Sequence, residues 1–229
     1  GLLQILWERG WRMDLPALLL RCTSRWAALF PGFAIVGPVL ASELAEFLRQ
    51  RLVSLLEEEF PGDGDIVQAV AGEGLPLDRM LADPAEARLR VELLCSLIEN
   101  GELAAVQAVV QRASRLAEKG NLPESVRSPE GVVDAALFEK NSEAEMLKAV
   151  QALATFATGS DPNRYSHLAE GLAKNAPILE CFFDGSDSVL VMADDPAVRA
   201  NRLNLLAVLR NQASVLADFT RLRSREYSP

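Results

Sequence analysis

The chain has 229 residues, 49% of them hydrophobic and 24% charged, with a formal net charge of −9. That is enough apolar material to bury a real core in one large or two small domains, and the acidic balance argues against a general nucleic-acid binder and gives no reason to expect DNA. Apolar runs such as Leu2–Trp7 and Leu18–Leu20 are far too short to span a bilayer, so no membrane is expected.

The opening Gly1-Leu2-Leu3-Gln4-Ile5-Leu6 lacks an initiator Met, a basic leader and a small-residue cleavage site. It reads as a helix cut open within a longer protein. Residues 40–60 then place Leu40, Leu44, Phe47, Leu48, Val53 and Leu55 at mostly helical spacing with charges between them. Leu89, Leu93, Leu94 and Leu97 continue the period, followed by Val106, Val109, Val110, Ala113 and Leu116, and later by Met146, Leu147, Val150, Leu153 and Phe156. Only Val189–Met192 looks like strand, and it is too short to anchor a sheet. The fold class is therefore all-α, a helical bundle.

Punctuation agrees. Asp83-Pro84, Asp161-Pro162 and Asp195-Pro196 each put an oxygen-bearing cap before a residue that lacks the amide left unpaired there. Ser142 and Glu145 have the spacing of a capping box, and Gly10, Gly120 and Gly159 follow periodic runs where a left-handed closing residue suits glycine. Loops fall at 32–37, 61–64, 120–129 and 159–161. The best domain boundary is Asp83-Pro84, giving a first region of 1–83 and a second of 84–229. Cys22, Cys95 and Cys181 are odd in number and form no C-x-x-C pair, so buried reduced thiols are expected, in a reducing, cytosolic setting.

Charge is uneven. Between Glu43 and Glu73 eight acids face two bases, a local −6; between Arg199 and Arg225 six arginines face Asp218 alone, a local +5. Such asymmetry places a basic surface on an acidic protein, or belongs to a solvated helix face. No phosphate-cradling G-x-x-x-x-G-K-[ST] or G-x-G-x-x-G word occurs. A calcium loop from Asp184 fails because Val189 stands where the turn needs glycine. His167, the only histidine, has no nucleophile elbow to serve. Catalytic residues are not expected.

The arginines remain. At about 100° per residue, Arg199 and Arg210 lie about 20° apart on one helix, with Arg202 about 60° to one side, edging an apolar stripe of Val198, Leu205, Leu209 and Leu216. A guanidinium there can meet a phosphate or stack on a base; it can equally lie over apolar surface or pair with a carboxylate. Gln111-Arg112-Ala113-Ser114-Arg115-Leu116 offers a second donor-rich face.

Several words of the last third occur in a telling order: Phe182-Phe183-Asp184, then Val189 to Asp195, then Val198-Arg199-Ala200-Asn201-Arg202-Leu203, and finally Ala217-Asp218-Phe219. They resemble the C-terminal end of the beta subunit of bacterial heterotetrameric glycyl-tRNA synthetase. Gly131–Phe138 with Glu143-Ala144-Glu145 resembles that family's acidic turn, and 111–116 resembles its Lys-Arg-x-x-Asn word, with Gln111 and Arg115 departing from it. The resemblance implies a DALR-type anticodon-binding bundle over 84–229, preceded by the end of an HD-like domain and linker helices over 1–83. It implies a cytoplasmic alpha2beta2 enzyme in which the alpha subunit uses ATP and Mg for glycine activation while the beta subunit helps bind glycine tRNA. Arg112, Arg115, Arg199, Arg202 and Arg210 are then the candidate tRNA contacts. The alternative is an architectural helical module for subunit association without RNA contact.

Overall fold

Helix is the only regular structure among the described residues, 1–223 of the computed structural model with the side chains of Asp78 and Arg79 left aside. Arg225, counted in the basic segment above, lies outside them. The chain forms two compact units, Gly1–Glu92 and Leu93 onward, and the division falls inside a single helix.

The first unit holds α1 (Leu2–Arg9), α2 (Leu15–Leu29), α3 (Gly37–Glu59), α4 (Gly64–Ala71), α5 (Leu77–Leu81) and the start of α6 (Pro84–Glu99). Each boundary has a local cause. Gly10 closes α1 at φ 61, a left-handed conformation in which glycine carries no Cβ clash. Asp14 caps α2 through the Ala17 amide at 2.9 Å, and Asp83 caps α6 through the Ala85 amide at 3.0 Å, ahead of Pro84. α2 and α3 pack on each other, and α3 carries α4 and α5. Leu52, Leu56, Ile66, Val67, Met80 and Leu81 are fully or almost fully buried. Arg49 is buried on α3, where it pairs with Glu46 and donates to the Ala71 carbonyl at the end of α4. The Trp7 indole reaches the Pro84 carbonyl at 2.9 Å, and Arg88 pairs with Glu59 and Glu92.

The second unit holds the end of α6, then α7 (Leu103–Ala117), α8 (Asn141–Thr158), α9 (Arg164–Cys181) and α10 (Pro196–Ala213). α10 lies against α7 and α8, while α9 lies against both of those helices. It is the central helix, because twelve of its eighteen residues are buried. The expected amphipathic helix with arginines along one rim is corrected accordingly: α10 is enclosed on nearly every side, and Leu216 lies beyond its end. Asp195 caps it through the amides of Ala197 and Val198.

Other expectations shift for local reasons. Ser142 lies inside α8 rather than capping it, and its amide and hydroxyl bond to Asp187 at 2.7 and 2.6 Å. Glu143, not Glu145, reaches back to the amides of Glu139 and Lys140. Asp161 holds the amide of Asn163, and α9 starts only at Arg164. Gly159 is extended at φ −74. Gly120 is not left-handed; a Cβ there would sit 3.2 Å from the Leu203 Cβ, so close packing against α10 is its role. Val189–Met192 forms no strand. The cysteines are not buried: Cys22 and Cys181 are exposed and Cys95 is half-buried.

Gly37 fixes the approach of α2 to α3, since a Cβ there would meet the Ser24 Cα at 2.9 Å and the Ser24 nitrogen at 3.0 Å. Both are backbone atoms and cannot swing aside. Gly37→Ala is expected to destabilise the first unit by about 1–3 kcal/mol, the usual cost of overpacking. Urea unfolding followed by helical ellipticity checks this, and an unchanged midpoint removes the packing argument.

Candidate nucleic-acid interface

Two stretches of the second unit have no regular structure, the connection from Glu118 to Lys140 and the segment from Phe182 to Asp195, apart from a 3₁₀ turn at Ala135–Leu137. Their backbone groups need partners. In the connection, amide side chains of α10 supply them. Asn201 accepts from the Asp134 amide at 2.7 Å and donates to the Asp134 carbonyl at 2.9 Å. Asn204 donates to Val132, Asn211 to Pro123 and Val126, and Gln212 to Arg127 and to Val150 of α8. From α7, Gln107 and Gln111 donate to the carbonyls of Leu222 and Phe219 at 2.9 and 2.8 Å, holding the closing Ala217-Asp218-Phe219 word. A groove of about 410 Å³ lies between 131–137 and the first turns of α10.

The segment from Phe182 to Asp195 is held by arginines. Phe182 and Phe183 are buried, with rings 5.3 Å apart and edge to face. Arg112 on α7 stands 4.7 Å over the Phe183 ring and pairs with Asp184 at 2.6 Å, its side chain still 48% exposed. Further along, Arg202 donates to the Leu190 carbonyl at 3.1 Å and Arg199 to the Ala193 carbonyl at 2.9 Å. Three of the five candidate arginines thus engage one irregular segment. Arg115 lies three residues beyond Arg112 on α7, on the same face by helical geometry, and is exposed. Arg210 is half-buried and donates to the Asn211 side chain at 3.0 Å.

Arg202 departs from the expectation of an RNA-facing side chain. It is 3% exposed, with Nε 2.8 Å from Glu143, which is fully buried, and Nη2 2.7 Å from Glu139. The guanidinium fork is filled by two carboxylates and one carbonyl, so it is a positioning residue. Burial by itself pushes Glu143 upward, but bonds from Arg202 and from the Glu139 and Lys140 amides outweigh it and hold the carboxyl below its ordinary 4.5.

Sequence reasoning missed the amide side chains. The available signal was their type: Asn201, Asn204, Asn211 and Gln212 are uncharged, where a solvated helix face would carry Lys or Glu. Among the described residues no group of three His, Cys, Asp or Glu is placed to hold a metal ion. No single helix among them is long and apolar enough to cross a membrane.

What these features define is an all-helical bundle whose last long helix is central and whose irregular segments are held by amide and guanidinium side chains. No protein-family model matches the chain. Individual proteins do. Over 96% of its length the chain is 42% identical to the glycine--tRNA ligase beta subunit of Acaryochloris marina and 40% identical to that of Picosynechococcus sp.. It is 31% identical over 97% of its length to the same subunit of Syntrophotalea carbinolica. The chain spans about 30% of the length of these relatives.

Removing one partner of the Arg202–Glu143 pair leaves a buried charge uncompensated. Arg202→Ala is expected to cost about 3–5 kcal/mol. Arg202→Met combined with Glu143→Gln should cost less, because the charge goes while the oxygen that accepts from the Glu139 and Lys140 amides remains. The folded value of Glu143 lies below its unfolded one. Its contribution is therefore complete above about pH 4.5 and is lost as pH falls through the folded value. Asp218 has the same sign; burial pushes it up, and bonds from Thr220 and Arg221 bring it below its ordinary value. Asp83 in the first unit is raised by burial and has the opposite sign. Urea titrations between about pH 7 and pH 3 should show a shallower acid loss in the double variant than in the parent; equal slopes remove Glu143 from the acid response.

Proposed function

We propose that the chain is the C-terminal part of the beta subunit of a glycine--tRNA ligase, and that residues 84–229 form a DALR-type anticodon-binding bundle contacting glycine tRNA. The observation that carries this reading is the 42% identity along 96% of the chain to a protein named as that subunit. In the enzyme so formed, a cytoplasmic alpha2beta2 assembly supports glycyl-tRNA synthesis. ATP and Mg chemistry belongs to the alpha subunit, and this segment supplies binding. Arg112, Arg115, Arg199 and Arg210 are the proposed tRNA contacts. Arg112 and Arg115 lead, because both are exposed on one helix face. Arg202 acts through the segment it holds.

A planar guanidinium stacks on an unpaired anticodon base and bonds a phosphate, which a lysine ammonium reproduces only as a point charge. An overall charge of −9 repels RNA at long range, so a few contacts give modest affinity with strong salt dependence. The second reading is subunit association without RNA contact. It is favoured by the carboxylate already paired with Arg112 and the carbonyl already bonded to Arg199.

tRNA binding by the assembled enzyme, measured across a salt series, separates the two. Arg112→Ala with Arg115→Ala is expected to weaken binding about tenfold or more and to flatten the salt slope by about one to two units. Arg199→Ala with Arg210→Ala should do less, since both side chains are half-buried. Parent-like binding by both double variants with intact helix content sinks the RNA reading and supports the architectural one. The chain without its alpha partner should give no glycine-dependent ATP–pyrophosphate exchange; exchange by this chain alone overturns the division of labour.

A further inference from the structure

The first unit carries a surface that the arginine-held segment does not explain. Between α2 and α3 the chain turns through a 3₁₀ element, Pro31–Phe33. Around that turn Trp26 is 49% exposed, Leu29 65%, Phe33 70% and Val36 60%, and Phe30 and Val39 are exposed as well. The rings form one cluster: Trp26 and Phe30 are 4.6 Å apart, Phe30 and Phe33 6.2 Å. Single exposed apolar residues need no explanation, whereas a contiguous group of this size marks an interaction surface. Ala34 sits at φ 50, a left-handed conformation that L side chains adopt at a cost. That conformation is kept between Phe33 and Val36, both well exposed.

Two observations identify the occupant. The first is charge. From Leu15 to Ser42 there is no Asp, Glu, Lys or His, and the only ionised side chains are Arg21 and Arg25, both exposed, in a chain of net charge −9. A surface complementary to it is apolar at its centre with carboxylates facing Arg21 and Arg25. The second is length. The chain spans only about 30% of the relatives it matches, so most of such a polypeptide lies outside the structure. The surface chemistry favours protein over RNA as well: Leu29, Val36 and Val39 are aliphatic and offer no stacking face, and the Trp26 and Phe30 rings tilt against each other at 42° rather than leaving a parallel slot.

We propose that the tip joining α2 to α3 is a docking surface for another segment of the same, longer polypeptide, an apolar patch rimmed by Asp or Glu that meets Arg21 and Arg25. This rests on reading the chain as part of a longer beta-type subunit.

The test uses the full-length native gene product with Phe33 replaced by photoreactive benzoylphenylalanine, irradiated in the assembled enzyme with tRNA present. The expected product is a cross-link within one polypeptide to a peptide outside residues 1–229, identified by mass spectrometry, and lost when Trp26→Asp and Val36→Asp are added. Cross-links to tRNA, to a separate subunit or to a second copy overturn the proposal, as does the absence of any cross-link. Intact mass decides the underlying reading separately. A native product of 24.9 kDa removes both, whereas a longer product without the intrachain cross-link removes only the docking surface.

Discussion

A buried carbonyl without a donor costs as much as a broken hydrogen bond, and the second unit contains two long stretches that form no α-helix of their own. Everything else in that unit follows from how those groups are satisfied. The donors come from α7, α8 and α10 as Asn, Gln, Ser and Arg side chains, each placed by helical geometry opposite a particular piece of irregular backbone. Asn201 does this most completely, matching both the amide and the carbonyl of Asp134 as a neighbouring strand would. An aliphatic residue at Asn201 would fill the space and leave the Asp134 amide unpaired; at Asn204 it would do the same to the Val132 carbonyl.

The same demand divides the arginines. Arg202 is deep enough that only full pairing keeps its charge tolerable, and Glu139, Glu143 and Leu190 provide it. Arg112 sits at the edge, where its pair with Asp184 is open to solvent and contributes little, on the order of 0–1 kcal/mol. A weak exposed pair exchanges readily for a phosphate, whereas a buried network does not. Position relative to the central helix, more than residue type, separates the buried guanidinium of Arg202 from the exposed one of Arg112.

How much of this could be read from the sequence depended on which residues carried the signal. The helices were legible because Leu, Val and Ala recur near 3.6 residues along α3, α6, α7 and α8. The Asp-Pro words at Asp83 and Asp195 marked true helix starts, since both the cap and the missing amide are local. The central position of α10 was not legible. Its buried Asn201, Arg202, Asn211 and Gln212 look like a solvated face to any reading that equates polar with exposed. The reverse error applies to Phe47 and Leu44, which keep helical period yet face outward. Periodicity records which face is apolar and is silent on what lies against it. The candidate arginines were found by residue type and resemblance, but burial, which separates Arg202 from Arg112, is a tertiary property.

The amide bonds of α10 join residues 62 to 88 positions apart in the chain, and those of α7 to the closing turn span 108 to 116. A ribosome delivers this polypeptide from the N-terminus. α7, the connection and α8 emerge well before Pro196–Ala213, and until that helix arrives the connection has its own turn bonds, such as Val126 to Pro123 and Leu137 to Asp134, but lacks the side-chain partners that α10 supplies. The unit therefore completes its hydrogen bonding late, around its last long helix. The first unit, whose cited bonds among α2 to α5 all lie upstream of Pro84, meets no such delay, so synthesis itself imposes an order in which the two units mature.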